Sequence, residues 1–343
     1  VIWSRHHTIL LAMILGVVPV LGIGMAFGAV SLPLGFTMRT VLEALTGAAP
    51  SGGDRMADII LQIRLPRTLA AFVVGSGLSM TGVAMQALVR NPLADPYVLG
   101  ISGGASAGAS LFYMGLIPGF LAGRLDMSLA AFLGALLVIS LVYMIARSDG
   151  RLSVSRLLLA GVALAAFMSA VSAFVTFASE DANKTRAVLF WLMGSFSGIT
   201  WSDLPVASTV TLLGGGILFG FSRSLDALLS GEDQARSLGV SVEQMKKTLI
   251  VVSALVTGVL VSIAGAIGFV GLIIPHSVRG LVGIRHHWVV PGSFFLGGTF
   301  MVLADTLSQI LLPGQQLPVG IVTALCGVPF FLVLLRRTDY QFK

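Results

Sequence analysis

From Thr68 to Val89 the chain carries no charged side chain, and arginines stand at both borders: Arg64 and Arg67 before it, Arg90 after it. An arginine or aspartate at the centre of a bilayer costs about 2.5 to 3.5 kcal/mol on insertion scales. About 20 apolar residues in helical form cross the hydrocarbon core. The stretch therefore reads as a transmembrane helix whose charges mark its ends. It runs into the polar turn Arg90-Asn91-Pro92-Leu93-Ala94-Asp95-Pro96, after which Gly100, Gly104 and Gly108 fall at i, i+4 and i+8. A helix face without side chains lets backbones approach closely, and proline suits a first helical turn. The pattern predicts a helix that begins close against its neighbours.

Apolar stretches of this kind recur at 8–30, 67–88, 95–115, 125–146, 155–178, 204–221, 248–266, 269–283, 290–312 and 317–335. Hydrophobic residues make up 56% of the chain and charged residues 10%, against about 25% charged in a soluble domain. The expected fold class is an all-α polytopic membrane protein of ten transmembrane helices, one domain over 1–343. Several stretches are short, which predicts tilted, broken or buried helices. The net charge of +6 does not point to nucleic acid, because the positive charges sit at helix ends. The run from Thr8 to Val30 follows Arg5 but exceeds a signal-peptide core of about 7–15 residues, so it reads as an uncleaved first helix. Cys326 is the single cysteine, which excludes an intrachain disulfide and a cysteine-based metal site.

With a cytoplasmic N-terminus, the inside holds Arg5, Arg90, Arg147, Arg151, Arg156, Arg223, Arg236, Lys246, Lys247, Arg279, Arg285, Arg336, Arg337 and Lys343. The outside holds Arg39, Arg55, Arg64, Arg67, Arg124, Lys184 and Arg186. The excess of positive charge inside predicts that both termini are cytoplasmic. Residues 31–66 and 179–203 are the long outer segments, the second with a surface helix expected at Ala187–Phe196. Residues 222–247 are the long inner segment. There Ser230 with Asp233 reads as an N-cap and acidic first turn, Gly231–Leu238 as a short helix, and Gly239 as its left-handed C-cap. Ser241 with Gln244 reads as a capping box opening the next span. An ordinary solvated loop is the competing reading. The two halves are weakly alike, with turns at Asn91-Pro92 and Pro275-His276, and an odd offset of five spans would make the repeat inverted.

No Gly-x-x-x-x-Gly-Lys-[Ser/Thr] phosphate-binding loop occurs, so ATP-driven work needs another subunit. Several runs together carry a family resemblance: Arg64–Gly108; Arg151-Leu152-Ser153-Val154-Ser155-Arg156; Leu225–Val240; the Gly-x-Ile-Gly-Phe-Val-Gly-Leu-x-x-Pro-His-x-x-Arg form of Gly265–Arg279; and Asp305 to Gly320. In this order they resemble the permease subunits of type II ABC importers for iron chelates, haem and vitamin B12, over about residues 8 to 336. The resemblance implies a homodimer of ten-helix subunits in a bacterial inner membrane, with the pore at the interface. It implies two ABC ATPase subunits on the cytoplasmic face, a periplasmic substrate-binding protein on the outer face, and ATP and Mg held by the ATPase, with no cofactor on this chain.

By the same resemblance, Gly231, Ala235, Leu238 and Gly239 belong to the segment that couples to the ATPase. Ser153, Val154 and Ser155 form the cytoplasmic gate, with Val154 standing where the family has a threonine and Ser153 or Ser155 also eligible as a helix N-cap. Leu164, Phe167, Met168 and Val171 form a stripe on the path, or an ordinary core stripe. Arg64 and Arg67 dock the binding protein, or anchor the helix in headgroups. Gln309 and Gln316 replace a family arginine and glutamate, which removes an expected ion pair at the outer end. His276 reads mainly as structural, at a proline-broken helix, and His286-His287 as residues of an inner loop. Haem is the first cargo to expect, then ferric siderophores, then vitamin B12. An ion-driven transporter would need acids inside the spans, and an intramembrane enzyme would need His276 and Asp305 in one place; their expected positions at opposite helix ends argue against it.

Overall fold

The structure, a computed structural model, describes residues 5–47, 55–117, 123, 125–148, 151–312 and 314–336. Arg124, Arg337 and Lys343, counted above among the boundary charges, lie outside the described residues. The chain is a bundle of helices, as apolar runs require where backbone groups must be satisfied within the segment. In order they are α1 (Arg5–Ala26), α2 (Leu34–Leu45), α3 (Arg55–Asp58), a π-helical turn (Ile59–Arg64), α4 (Leu65–Val89), a 3-10 turn (Pro96–Leu99), α5 (Ile101–Tyr113) and α6 (Met127–Ala146). A two-stranded hairpin follows, β1 (Arg147–Ser148) with β2 (Arg151–Leu152), then α7 (Val154–Phe177), α8 (Ala182–Leu192) and α9 (Leu204–Gly220). The rest comprises α10 (Ser222–Leu229), α11 (Glu232–Ser237), α12 (Val242–Ala264), α13 (Val270–Val282), α14 (His286–Ile310) and α15 (Val319–Arg336).

All ten expected stretches contain a helix, yet among the described residues six helices are long and apolar enough to cross a membrane, or seven if the pair α9 and α10, bent by 57°, is one span. The count of ten is thus not what length and composition give. α5 and α13 have 13 residues each, about 20 Å at 1.5 Å per residue, short of the hydrocarbon thickness of about 30 Å. Each follows a long helix, α4 and α12 respectively. The outer segment 31–66 is not a loop: it holds α2, and the helix containing α4 begins at Arg55, twelve residues before the expected start. The surface helix expected at 187–196 lies earlier, at Ala182–Leu192, because Asp181 caps it by accepting from the backbone N–H of Asn183 and Lys184.

α4 is the hub, with 83% of its most apolar window buried, against 22% for α7. Small residues explain its depth. A Cβ on Gly75 would stand 2.2 Å from the Gly297 carbonyl oxygen, and one on Gly82 would stand 2.0 Å from that of Gly271, so α13 and α14 approach α4 backbone to backbone. Ser79 Oγ donates to Ser293 O at 2.6 Å and Ser76 Oγ to Phe294 O at 2.8 Å. The glycine face of α5 packs as expected: a Cβ on Gly104 or Gly108 would meet the carbonyl oxygens of Gly134 or Ala130 on α6 at 2.4 and 2.2 Å.

Candidate functional site

The chemistry-bearing side chains gather at the two ends of α4, separated by about 33 Å of helix between Arg67 and Val89 at 1.5 Å per residue. At the far end, α10, α11 and the start of α12 form a compact unit. Gly231 enters α11 with φ 118° and Gly239 leaves it with φ 82°, both positions that side chains disfavour. Gly239 takes the left-handed conformation expected of it, and Ala235 is fully buried. Two local expectations fail. Ser230 closes α10 rather than capping α11, whose N-cap is Gly231. Ser241 stands at the N-cap position of α12 but makes no side-chain cap bond. Leu238 is 72% exposed, an apolar tip open to the surface among the described residues. Leu238 and Gly239 border a recess of about 650 Å³ with Phe221, Arg223 and Gln244.

Ser153, Val154 and Ser155, the residues expected to form a gate, stand beside this unit. Ser153 is the N-cap of α7, its hydroxyl accepting from the Arg156 N–H at 3.4 Å. Val154 and Ser155 occupy the first turn of α7. The hairpin before them pairs Arg147 with Leu152, and Ser153 N–H donates to Ala146 O at 3.2 Å. Lys246 reaches 2.7 Å from Glu232 and 3.5 Å from Glu243, and Arg236 lies within 3.5 Å of Glu232, Asp233 and Glu243. Sequence reading passed over Lys246 and Glu243, although their i, i+3 spacing was visible.

The stripe Leu164, Phe167, Met168 and Val171 divides. Phe167, Met168 and Val171 line an apolar cavity of about 390 Å³ against α5 and α6, with Gly104, Gly108 and Gly134. Leu164 is outside that lining and packs on the core. Only Phe167 is exposed, at 60%. Among the described residues, the uncovered face of α7 is a different one, carrying Leu159, Val162, Ala166, Ala170 and Phe174.

At the near end, Arg67 is 8% exposed. Its Nε and Nη2 donate to the two carboxylate oxygens of Asp305, each at 2.8 Å, and its Nη1 donates to Gln316 Oε1 at 3.1 Å. Gln309 Nε2 donates to the same carboxylate at 2.9 Å. Asp305 stands in the last two turns of α14, as expected, but is buried there; Arg67–Asp305 is a different ion pair from the one that the two glutamines remove. An acid within an apolar run calls for a partner, and that signal could have found Arg67. Arg64 is half-buried; its Nη1 donates to the carbonyls of Met25 and Ala26 at 2.9 and 2.8 Å and its Nη2 to Val30 O. It holds the C-terminal carbonyls of α1, which ends at Ala26 rather than at Val30. The free docking charges expected of these arginines are thus engaged within the chain. Among the described residues, Arg39, Arg55, Lys184 and Arg186 are the exposed basic side chains near this end, and Arg39 is paired with Glu43 at 2.7 Å.

The histidines separate. His276 stacks edge-on with Phe330 at 5.9 Å between centroids, while Asp305 is held by Arg67, so the two do not share a site. His286 is fully buried at the start of α14 rather than in a solvated loop. Its Nδ1 lies 2.6 Å from Asp226 Oδ1, which also accepts its backbone N–H at 2.9 Å. The motif arginine, Arg279, donates to Gln86 Oε1, and Gln86 in turn donates to Gly271 O at 3.2 Å, joining α4 to α13.

Residues 11–337 match the FecCD transport family. The chain is 38% identical to the hemin transport system permease protein of Yersinia pestis, covering 96% of this chain and 97% of that one. It is 40% identical to the cobalamin import system permease protein of Halobacterium salinarum over 84% of this chain and 77% of the relative. Among solved structures it is similar to an inward-facing metal-chelate type ABC transporter, with 31% identity, a TM-score of 0.82, and coverage of 96% of this chain and 99% of that one.

Proposed function

Because the chain belongs to the FecCD transport family, whose members are membrane permeases of ABC importers for iron chelates, haem or vitamin B12, we propose that it is the translocating subunit of a haem importer. It works as a homodimer of ten-span subunits in a bacterial inner membrane, with both termini cytoplasmic. Two ABC ATPase subunits bind the α11 end and a periplasmic substrate-binding protein binds the Arg67 end. The single observation behind haem is the near end-to-end match to the hemin permease. A ferric siderophore is the next cargo. Vitamin B12 has the cobalamin permease as its specific support.

The α11 unit suits the ATPase: it is short, rigidly capped, and offers the exposed Leu238 beside a recess. Ser153, Val154 and Ser155 form the inner gate at the mouth of α7. The path runs along α7 at the interface of two copies, on the face carrying Val162, Ala166 and Ala170, with Phe167 at its edge and Leu164, Met168 and Val171 behind it. An apolar, weakly binding wall suits a large cargo that must also leave. Arg64 and Arg67 shape the docking rim, and Arg55, Lys184 and Arg186 supply its free charge.

The test is ATP hydrolysis and uptake by the reconstituted complex with a binding protein loaded in turn with haem, a ferric siderophore and vitamin B12. Stimulation by haem alone or foremost is expected; stimulation only by another cargo overturns the haem reading. Orientation is checked by Asp233→Cys in a Cys326→Ser background, which should resist an impermeant reagent in intact cells.

A further inference from the structure

We propose that Glu243 and Lys246, in the first two turns of α12, are positioning residues that link the coupling helix α11 to the hairpin from which the gate helix α7 springs. The inference rests on the importer reading and assigns it two residues that no motif picks out. Lys246 has a side chain 3% exposed, and its ammonium meets three acceptors: Glu232 on α11 at 2.7 Å, Glu243 at 3.5 Å, and the Leu152 carbonyl at 3.4 Å. An ammonium has three donors, so the site satisfies it completely. Glu243 closes the other side, accepting the Leu152 N–H at 3.0 Å through Oε2 while Oε1 faces Arg236 of α11 at 3.5 Å. Both backbone polar groups of Leu152 are therefore held by α12 side chains.

Leu152 is the residue before Ser153, the N-cap of α7. Its register partner is Arg147, at the end of α6. Moving Leu152 displaces the cap and first turn of α7, where Val154 and Ser155 stand. α11 is bounded by two glycines at positive φ, which fix its turns so that a push on the helix is passed on by the unit as one body. Parting Lys246 from Glu232 would strip a buried ammonium of its shortest ion pair and leave it only Glu243 at 3.5 Å and a carbonyl, which is costly. The contact therefore carries force in place of breaking. An exposed pair such as Arg236–Asp233, with the aspartate side chain 98% exposed, has water as an alternative partner and transmits little.

The experiment uses the complete transporter with its ATPase subunits and binding protein. A single cysteine, Ser155→Cys in a Cys326→Ser background, reports gate exposure by its maleimide labelling rate before and after trapping the ATPase with ADP and vanadate. In Lys246→Met the trapping-induced change in labelling, at equal ATPase occupancy, should shrink about fivefold or more, the lower end of ordinary coupling between sites. Lys246→Arg should restore it. Adding Glu232→Gln to Lys246→Met should cause no further loss, since both remove one interaction. Should Lys246→Met fail to assemble, Glu243→Gln tests the same link, because it keeps the shape and the acceptor oxygen while removing the charge. A full trapping response in whichever of these variants assembles overturns the link. A parent transporter that neither hydrolyses ATP nor responds to trapping overturns the importer reading itself, which distinguishes the two failures.

Discussion

The two ends of α4 each carry a charged cluster, and the clusters are built to opposite specifications. At the near end one arginine is buried against one aspartate in a two-point fork, with two glutamines completing the shell. At the far end two basic and three acidic side chains share partners loosely, and most of them remain partly exposed. A buried fork has one geometry and strongly penalises any other, so it acts as a fixed strut between α4 and α14. A shared, half-wet network has several arrangements of similar energy, so it can follow a moving partner. Lys246, buried in the midst of that network, is its one firm point of attachment.

The largest effect that could break this contrast lies at the strut. Arg67→Met leaves Asp305 buried without its partner, which should cost about 3–5 kcal/mol. The measurement is thermal unfolding in detergent. Arg67→Met with Asp305→Leu should recover most of the loss, because the pair as a whole is far less valuable than either half is costly. A single variant as stable as the parent would end the strut description.

Next comes Gly239. Its φ of 82° places a side chain in the left-handed region, at about 1–2 kcal/mol for ordinary residues. A Cβ there meets nothing within 4 Å, so the cost is purely one of backbone conformation. Gly239→Val should therefore lower unfolding stability by about that amount or relax the turn out of its left-handed shape, and in either case weaken co-purification with the ATPase. Gly239→Asn, which tolerates this conformation, should keep most of it. Equal behaviour of the two variants would remove backbone shape as the reason.

A smaller effect concerns docking at the near end. Arg55→Glu with Arg186→Glu reverses exposed charges, each worth about 0.2–1 kcal/mol in a pair. Binding-protein affinity should fall and its salt dependence should flatten. An unchanged salt slope would return docking to Arg64 and Arg67. The smallest effect is at the loose network: Arg236→Ala should change unfolding stability by less than about 1 kcal/mol and should do so only at low salt. A larger, salt-independent loss would mean that this network is as rigid as the strut.

Much of the site was legible because some residues announce their backbone. Gly239 and Ser153 act where local pattern put them, as a left-handed C-cap and an N-cap. Ser230 failed because Gly231, which can take φ 118°, starts α11 one residue later; Ser241 stands at the expected N-cap position of α12 without making the cap bond. The stripe on α7 illustrates a harder limit. Periodicity of 3.6 groups Leu164, Met168 and Val171 on one face, but every face of this helix is apolar. Hydrophobicity cannot tell a neighbour in the same chain from lipid or a second copy, and the packing on α5 and α6 turned that face inward.

By itself the sequence determined the class of the protein, the location of its apolar helices and the family it belongs to. Those follow from uncharged apolar runs and from prolines and glycines whose backbone limits are local. Tertiary structure alone decided which charges meet. Arg67 and Asp305 are 238 residues apart, as Glu243 and Leu152 are 91, and no local rule connects them. Each polar group brought out of water had to find its complement, and only the packing of α4 against α14, and of α12 against the hairpin, made that complement available.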